Sequence, residues 1–400
     1  MPDFRPVSDD DVGAFRSMVS YAFTPTRGPT DPDEVDEDDI PAPWQVGRRY
    51  GLYDDGDDLV TVCKHVDFDV RVRGDTHAMH GLSAVASPPE HRRQGYVGEM
   101  LRESLATSRD DSVYLSALWP FKRSFYGQFG WATCNRMVRH ELPPDHLSFA
   151  REATDGEFVP LGEDDWERMD AVHDADGAAL DLTVDRTEEW WQKRILSGWE
   201  DDPFVYGWER DGDLEAYLTY TVDSSEDTGT LQVRDWACAG HDGLLAVLAF
   251  LADHDSQVDE VAFWTGEYAD VLDLLPNPGD ATTELSLGPM VRLVDVPAAL
   301  EALSYPEAAT ADLVLDVTDP LADWNGDTYR LTVEDGSAAV DRTDADADAE
   351  LGVGALSQLA VGYRTADELA TVRDLDADDD ALDALASLFP ERATLLRENF

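Results

Sequence analysis

The sequence predicts a mixed α/β (α+β) architecture built as three successive units. Three observations carry this reading. Between Leu82 and Leu142 the chain orders a strand, a basic turn, a helix, a strand, a short helix and a last strand. From Phe158 the same order starts over, and from Met290 a strand runs into a proline-opened helix and a further sheet-forming stretch. A chain of 400 residues is too long for one simple core, and 43% hydrophobic residues can fill two or three. The boundaries read as 1–145, 146–288 and 289–400.

Phe4–Val7 is expected as a first strand. Ser8 with Asp11 three residues on resembles a capping box, opening a helix whose apolar stripe is Val12, Phe15, Met18, Val19 and Ala22. The loop from Thr24 to Pro43, rich in Pro and Asp, reads as a solvated surface loop that could also cover a site. Arg49–Tyr53, Leu59–His65 and Asp67–Arg73 alternate as an antiparallel meander. Leu82–Ala86, Val113–Leu118 and Thr133–Leu142 complete the first sheet, with a short helix around Tyr126. In the second unit, Val159–Leu161, Phe204–Trp208, Leu214–Val222, Leu231–Ala237 and Val261–Trp264 read as strands. Glu163–His173, Arg186–Leu196 and Leu244–Ala252 read as helices. The third unit has strands at Met290–Val294, Ala311–Val317, Thr328–Val333 and Ala338–Arg342. Its helices fall after Pro297, a favoured first-turn residue, and near Leu356–Gly362, Ala366–Val372 and Ala381–Phe389.

The stretch Leu82–Tyr126 holds the chemistry. A strand breaks at Pro88-Pro89, and His91-Arg92-Arg93-Gln94-Gly95 turns into an amphipathic helix bearing Val97, Met100, Leu101 and Leu105. Unpaired N–H groups at a helix start favour phosphate oxygens. Gly95 admits close backbone approach, and Arg92 and Arg93 add charge-assisted bonds. A basic surface turn before an ordinary helix is the competing reading. The Walker spacing and the dinucleotide glycine fingerprint are both absent. From Ala237 to the next helix, by contrast, Cys238–Asp242 carries no arginine.

Composition narrows the setting. The formal net charge is −55, with 85 acidic residues spread through every segment and only Lys64, Lys122 and Lys193 as lysines. Uniform acidity of this kind suits a cytoplasm of molar salt, where self-repulsion is screened. It disfavours nucleic-acid partners, since no basic face offsets the field. Cys63, Cys134 and Cys238 lie far apart, in neither disulfide nor zinc spacing, so no metal is expected. His77 and His80 sit in an extended segment, and Thr343–Asp348 lacks the glycine and glutamate of a calcium loop. No apolar run reaches 18 residues, so no membrane partner is expected and the location reads as cytoplasmic.

Arg92-Arg93-Gln94-Gly95-Tyr96-Val97 resembles the R/Q-x-x-G-x-G/A acyl-CoA loop of the GNAT acetyltransferases, with Val97 in place of the last small residue. Ser124–Trp131 resembles that family's FYxxFGF/W segment. The pair, and the Met290–Leu300 segment after it, resembles the Eis (enhanced intracellular survival) group. That likeness implies two tandem GNAT-type mixed-sheet domains, the second without a CoA site, then a sterol-carrier-like α+β domain. It further implies acetyl-CoA as co-substrate, a primary amine acceptor (small molecule or lysine side chain), and a homo-hexamer.

Acetyl transfer needs the pyrophosphate held, the thioester oxygen polarised, a proton taken from the amine and one given to the thiolate. Arg92–Val97 would hold the pyrophosphate, and the backbone of Val85, Ala86 and Ser87 would pair with the pantetheine arm. Tyr126, a phenol near pKa 10, suits a thiolate of similar basicity; a satisfied core tyrosine is the alternative. In the Eis group the terminal main-chain carboxylate serves as base, which implies that role for Phe400, where burial would raise its basicity. A frayed end is the alternative. Asn399 stands where an acid is typical of the group, and Pro25 where an aspartate can occur. Both departures weaken an aminoglycoside acceptor. The competing function is a non-catalytic protein holding an apolar ligand in the sterol-carrier-like unit.

Overall fold

The computed structural model describes residues 2–32, 40–153, 155–223, 229–269 and 271–400. Residues 33–39 of the Asp-rich loop lie outside that set. In chain order the first strands are β1 (Asp3–Pro6), β2 (Arg48–Tyr53), β3 (Leu59–Val72), β4 (Asp75–Ala86), β5 (Leu115–Leu118), β6 (Ala132–Thr133) and β7 (Arg136–Leu142). Then come β8 (Glu157–Pro160), β9 (Val184–Asp185), β10 (Phe204–Arg210), β11 (Asp213–Asp223), β12 (Thr230–Cys238), β13 (Glu260–Gly266) and β14 (Thr282–Leu287). The last are β15 (Met290–Leu293), β16 (Ala311–Thr318), β17 (Asp327–Glu334), β18 (Ser337–Arg342), β19 (Ala349–Gly352) and β20 (Leu375–Ala377).

These strands form three mixed sheets, in keeping with the expected class. The first runs β1-β2-β3-β4-β5-β15-β6, with β9 also on β3; the second runs β14-β7-β13-β12-β11-β10-β8; the third runs β18-β17-β16-β19-β20. Two strands therefore change places relative to expectation. Arg136–Leu142, expected to close the first sheet, pairs with β13 and β14 in the second. Met290–Leu293, expected to open the third unit, lies between β5 and β6 in the first. Alternation marks a strand as half-buried but says nothing of its neighbour.

Other departures are local. The runs 59–65 and 67–73 are one continuous strand, since nothing between His65 and Asp67 favours a turn. The hairpin falls instead at Arg73-Gly74, where both φ angles are positive (54° and 93°), as the right-handed strand twist prefers. Ser8 donates its hydroxyl to the Asp11 carboxylate (2.8 Å), so the backbone-to-side-chain capping box is not made. Thr187 accepts from the Trp190 N–H, and the expected Arg186–Leu196 helix is a short turn, Glu188–Trp190, widening into a π-turn through Ile195. The short strands β19 and β20 were not foreseen.

The helix Tyr96–Asp110 covers one face of the first sheet with Met100, Leu101 and Leu105. On the other face Phe68, Val70, Met79, Leu115, Ala117 and Val291 share a core with Leu315, Leu331, Leu356 and Leu385 of the third unit. Arg292 on β15 is wholly buried and pairs with the equally buried Asp319, while also donating to the Phe129 carbonyl. Among the described residues no helix is long and apolar enough to cross a membrane, and no cluster of His, Cys, Asp or Glu could hold a metal ion.

Candidate active site

The centre of the first sheet opens. β4 and β5 pair in parallel only at Met79–Leu115, His80–Ser116 and Gly81–Ala117. Beyond Gly81 a one-residue bulge bends β4 away: Lys64 faces Ser83 while Val62 faces Ala86, and Ala84 adopts φ +52°. Past the bulge Ala86 keeps its register with Val62 on β3, so Val85, Ala86 and Ser87 lie where β4 has parted from β5. Ser87 is anchored there, its hydroxyl donating to the Val60 carbonyl (3.2 Å).

The basic turn follows directly. Arg92 donates its Nε–H to the Ser87 carbonyl (2.9 Å), tying turn to strand, and Gln94 donates to the Glu90 carbonyl (2.7 Å). Arg93 and Gly95 take φ +62° and +90°, just ahead of the helix that begins at Tyr96. Arg92, Arg93, Gln94 and Gly95 are exposed. No protein atom comes within 4 Å of the position a Gly95 side chain would take, so it is the backbone angle that calls for glycine here. Tyr96 and Val97 turn inward and pack, with Val85, on the cluster that contains Tyr126.

Tyr126 is 3% exposed and ringed by Phe121, Phe125 and Trp131. Burial pushes its phenol well above the ordinary range, with Cys63 adding to the shift. That shift makes it a weaker acid than the free phenol whose pKa matches a thiolate.

The C-terminal tail reaches the same opening. The Phe400 ring lies 5.0 Å from Phe68, and a Cβ on Gly81 would come within 2.5 Å of it. Leu82, the next residue on β4, points to the opposite face, into the Tyr126 cluster. The Phe400 ring and the Tyr126 cluster thus lie on opposite faces of β4. The tail is tied along its length. Thr394 donates to the Cys134 carbonyl (2.6 Å), and the Leu396 N–H donates to Asn135 (3.1 Å). Trp119 donates to the Glu398 carbonyl (2.7 Å), and Arg194 to the Asn399 carbonyl. Arg186, fully buried, grips the Glu398 carboxylate (2.9 and 3.0 Å) and Asp235 (2.7 and 3.1 Å). Arg186 and its neighbours hold Asp235 well below the usual carboxylate range.

The second sheet opens in the same way. β12 and β13 pair in parallel only from Thr230–Glu260 to Gln232–Ala262. Here the chain's own tail enters: Arg397 donates to the Trp236 carbonyl (2.9 Å), and Leu395 packs at Gly266.

Comparison with known proteins agrees with this duplicated arrangement. The GNAT acetyltransferase domain family matches residues 3–134, a second GNAT acetyltransferase family matches 182–293, and a sterol carrier protein domain matches 296–397. The N-acetyltransferase Eis of Mycobacterium tuberculosis is 27% identical over 403 residues, covering 94% of this chain and 93% of its own. An uncharacterized N-acetyltransferase of Streptomyces avermitilis is 24% identical over 387 residues, covering 92% and 91%. The chain carries two GNAT acetyltransferase domains and a sterol carrier domain, and is similar to the N-acetyltransferase Eis along nearly its whole length. Its fold matches that of a GCN5-related N-acetyltransferase from Anabaena variabilis (TM-score 0.85, 20% identity, 100% of both chains). It also matches Eis1 from Mycobacterium abscessus (TM-score 0.73, 18% identity, 100% of both).

Sequence reasoning missed several residues of the opening: Gly81, Trp119, Arg186, Arg194 and Glu398. Gly81 had a signal, since a lone glycine inside a strand marks a close approach. The others lie far apart along the chain and show only in three dimensions.

Proposed function

We propose that the chain moves an acetyl group from acetyl-CoA to a primary amine by direct attack. The amine nitrogen attacks the thioester carbonyl carbon, the carbon–sulfur bond breaks, the Phe400 carboxylate takes the amine proton and Tyr126 gives its phenol proton to the leaving thiolate. The turn Arg92–Val97 holds the pyrophosphate, with the backbone of Val85–Ser87 along the pantetheine arm. The observation that carries the reading is the seating of Phe400 on Gly81, across β4 from the cluster of Tyr126. The reading extends to a homo-hexamer in a molar-salt cytoplasm, which sedimentation at high salt tests.

The decisive experiment is release of CoA thiol from acetyl-CoA with a panel of amines in molar salt. Tyr126→Phe should lower kcat about 10²–10⁴-fold with little change in KM. Residues appended after Phe400 should abolish turnover while leaving acetyl-CoA binding intact. Full rates in both variants would refute the two proton-transfer roles.

A further inference from the structure

Lysine is scarce in this chain, and one of its three lysines is buried beside the opening. Lys64 stands on β3 and is 3% exposed. Its partner across the ladder is Ser83, the residue before the left-handed Ala84 of the bulge. Strand alternation puts Lys64 on the face of Val62 and Phe68. There Val62 shares a cluster with Ala84 and Ala86, and Phe68 packs on the Phe400 ring (5.0 Å). The amine is therefore on the tail's side of the sheet, one strand from the backbone assigned to the pantetheine arm. An arm that runs back along β4 from the Arg92 turn brings its thioester end toward Ser83 and Gly81, the stretch flanked by Lys64 and Phe400.

We propose that Lys64 is a self-acetylation site, its side-chain nitrogen taking the acetyl group of a bound acetyl-CoA when no acceptor amine is present. This assignment rests on the transfer reaction proposed above. In the step, Nζ attacks the thioester carbonyl carbon and the carbon–sulfur bond breaks. The nitrogen gives up one proton and the sulfur gains one, leaving Nζ-acetylated Lys64 and free CoA. The surroundings suit a nucleophile. The amine donates to the Trp44 carbonyl and lies 5.1 Å from the centre of the Trp44 ring. Burial lowers its pKa to about 7, and the charged groups that add to the shift, Arg49, Arg194 and Lys193, are all cations. Desolvation next to other cations is how a lysine becomes nucleophilic near neutral pH. The other two lysines lack this setting: Lys122 is exposed, and Lys193 pairs with Glu189 (2.8 Å). Trp44 and Gly47 close over the Lys64 stem, where a Cβ on Gly47 would come within 3.2 Å of Cε. A reagent free in solution therefore meets Lys122 first, whereas a thioester held along β4 meets Lys64.

The test is peptide mass mapping of the full chain in molar salt after exposure to acetyl-CoA with no amine added. Lys64 should gain one acetyl group at least about tenfold faster than Lys122 or Lys193, at a rate per chain independent of protein concentration. About one equivalent of CoA thiol per chain should be released with it. Lys64→Met should lose both the label and this burst of thiol. In the chain without CoA, NMR of the three lysine side-chain nitrogens should show one amine titrating near pH 7. Three lysines that all titrate near their ordinary value would overturn the proposal. So would label confined to Lys122 or Lys193, or label on Lys64 that forms as fast in the urea-unfolded chain. An unlabelled Lys64 in a chain that acetylates added amines overturns self-acetylation and leaves the transfer reading standing. If neither Lys64 nor any added amine is acetylated, the transfer reading fails and the proposal falls with it.

Discussion

At the residue scale the opening depends on what is missing as much as on what is present. Gly81 leaves the space that the Phe400 ring occupies, and any side chain there meets the ring at 2.5 Å. Gly81→Ala should therefore fold, displace the tail and lower kcat far more than it changes acetyl-CoA affinity; equal losses in both would place the damage in the sheet instead. Lys64 makes a different point. It is 3% exposed, donates to the Trp44 carbonyl, and burial lowers its ammonium pKa to about 7. The unfolded chain binds that proton below about pH 10.5, whereas the folded chain does so only below about 7. Wild-type stability must then fall as pH drops between those values and level off beneath them. Lys64→Met should be the more stable protein, with its advantage growing from pH 10 to pH 7 in denaturant titrations at fixed salt. A constant difference across that range would refute the buried neutral amine.

At the element scale the tail behaves as part of the fold. Arg186 answers two buried carboxylates, Glu398 and Asp235, with side chains at most 10% exposed. Removing the cation strips Glu398 of its ion pair and leaves Asp235 only the longer ion pair with Arg397 (3.7 Å), a loss of about 3–5 kcal/mol in comparable buried pairs. Arg186→Met should show that loss by equilibrium denaturation, together with reduced kcat as the tail detaches; a stable but inactive variant would separate the two effects. Much of this opening was readable beforehand. The break at Pro88-Pro89, the run Arg92–Gly95 and the Tyr126 segment are contiguous, so local chemistry identifies them. The contacts of Glu398 with Arg186 and of Asn399 with Arg194 each span about 200 residues, and no spacing rule reaches that far. The bulge at Ala84 was equally hidden, because an ordinary alanine occupies a left-handed backbone position.

For the whole molecule, charge and topology set the behaviour. A net charge of −55 repels itself less when screened; the Debye length shrinks from roughly 10 Å at 0.1 M salt to about 3 Å at 1 M. The melting temperature should rise steeply with salt over this range and the protein should unfold on dialysis to low salt; a melting temperature indifferent to salt would count against a halophilic surface. The three-unit plan was legible in the order of strands and helices, but the exchange of β7 and β15 was not, since either strand alternates suitably for either sheet. That exchange bears on synthesis. A nascent chain that has emerged through β6 carries an open sheet edge beside β5, and it keeps that edge until Met290–Leu293 leaves the ribosome. Vectorial folding, one finished unit after another, is closed to this polypeptide: the first sheet is among the first parts made and must wait for nearly three-quarters of the chain before it can close.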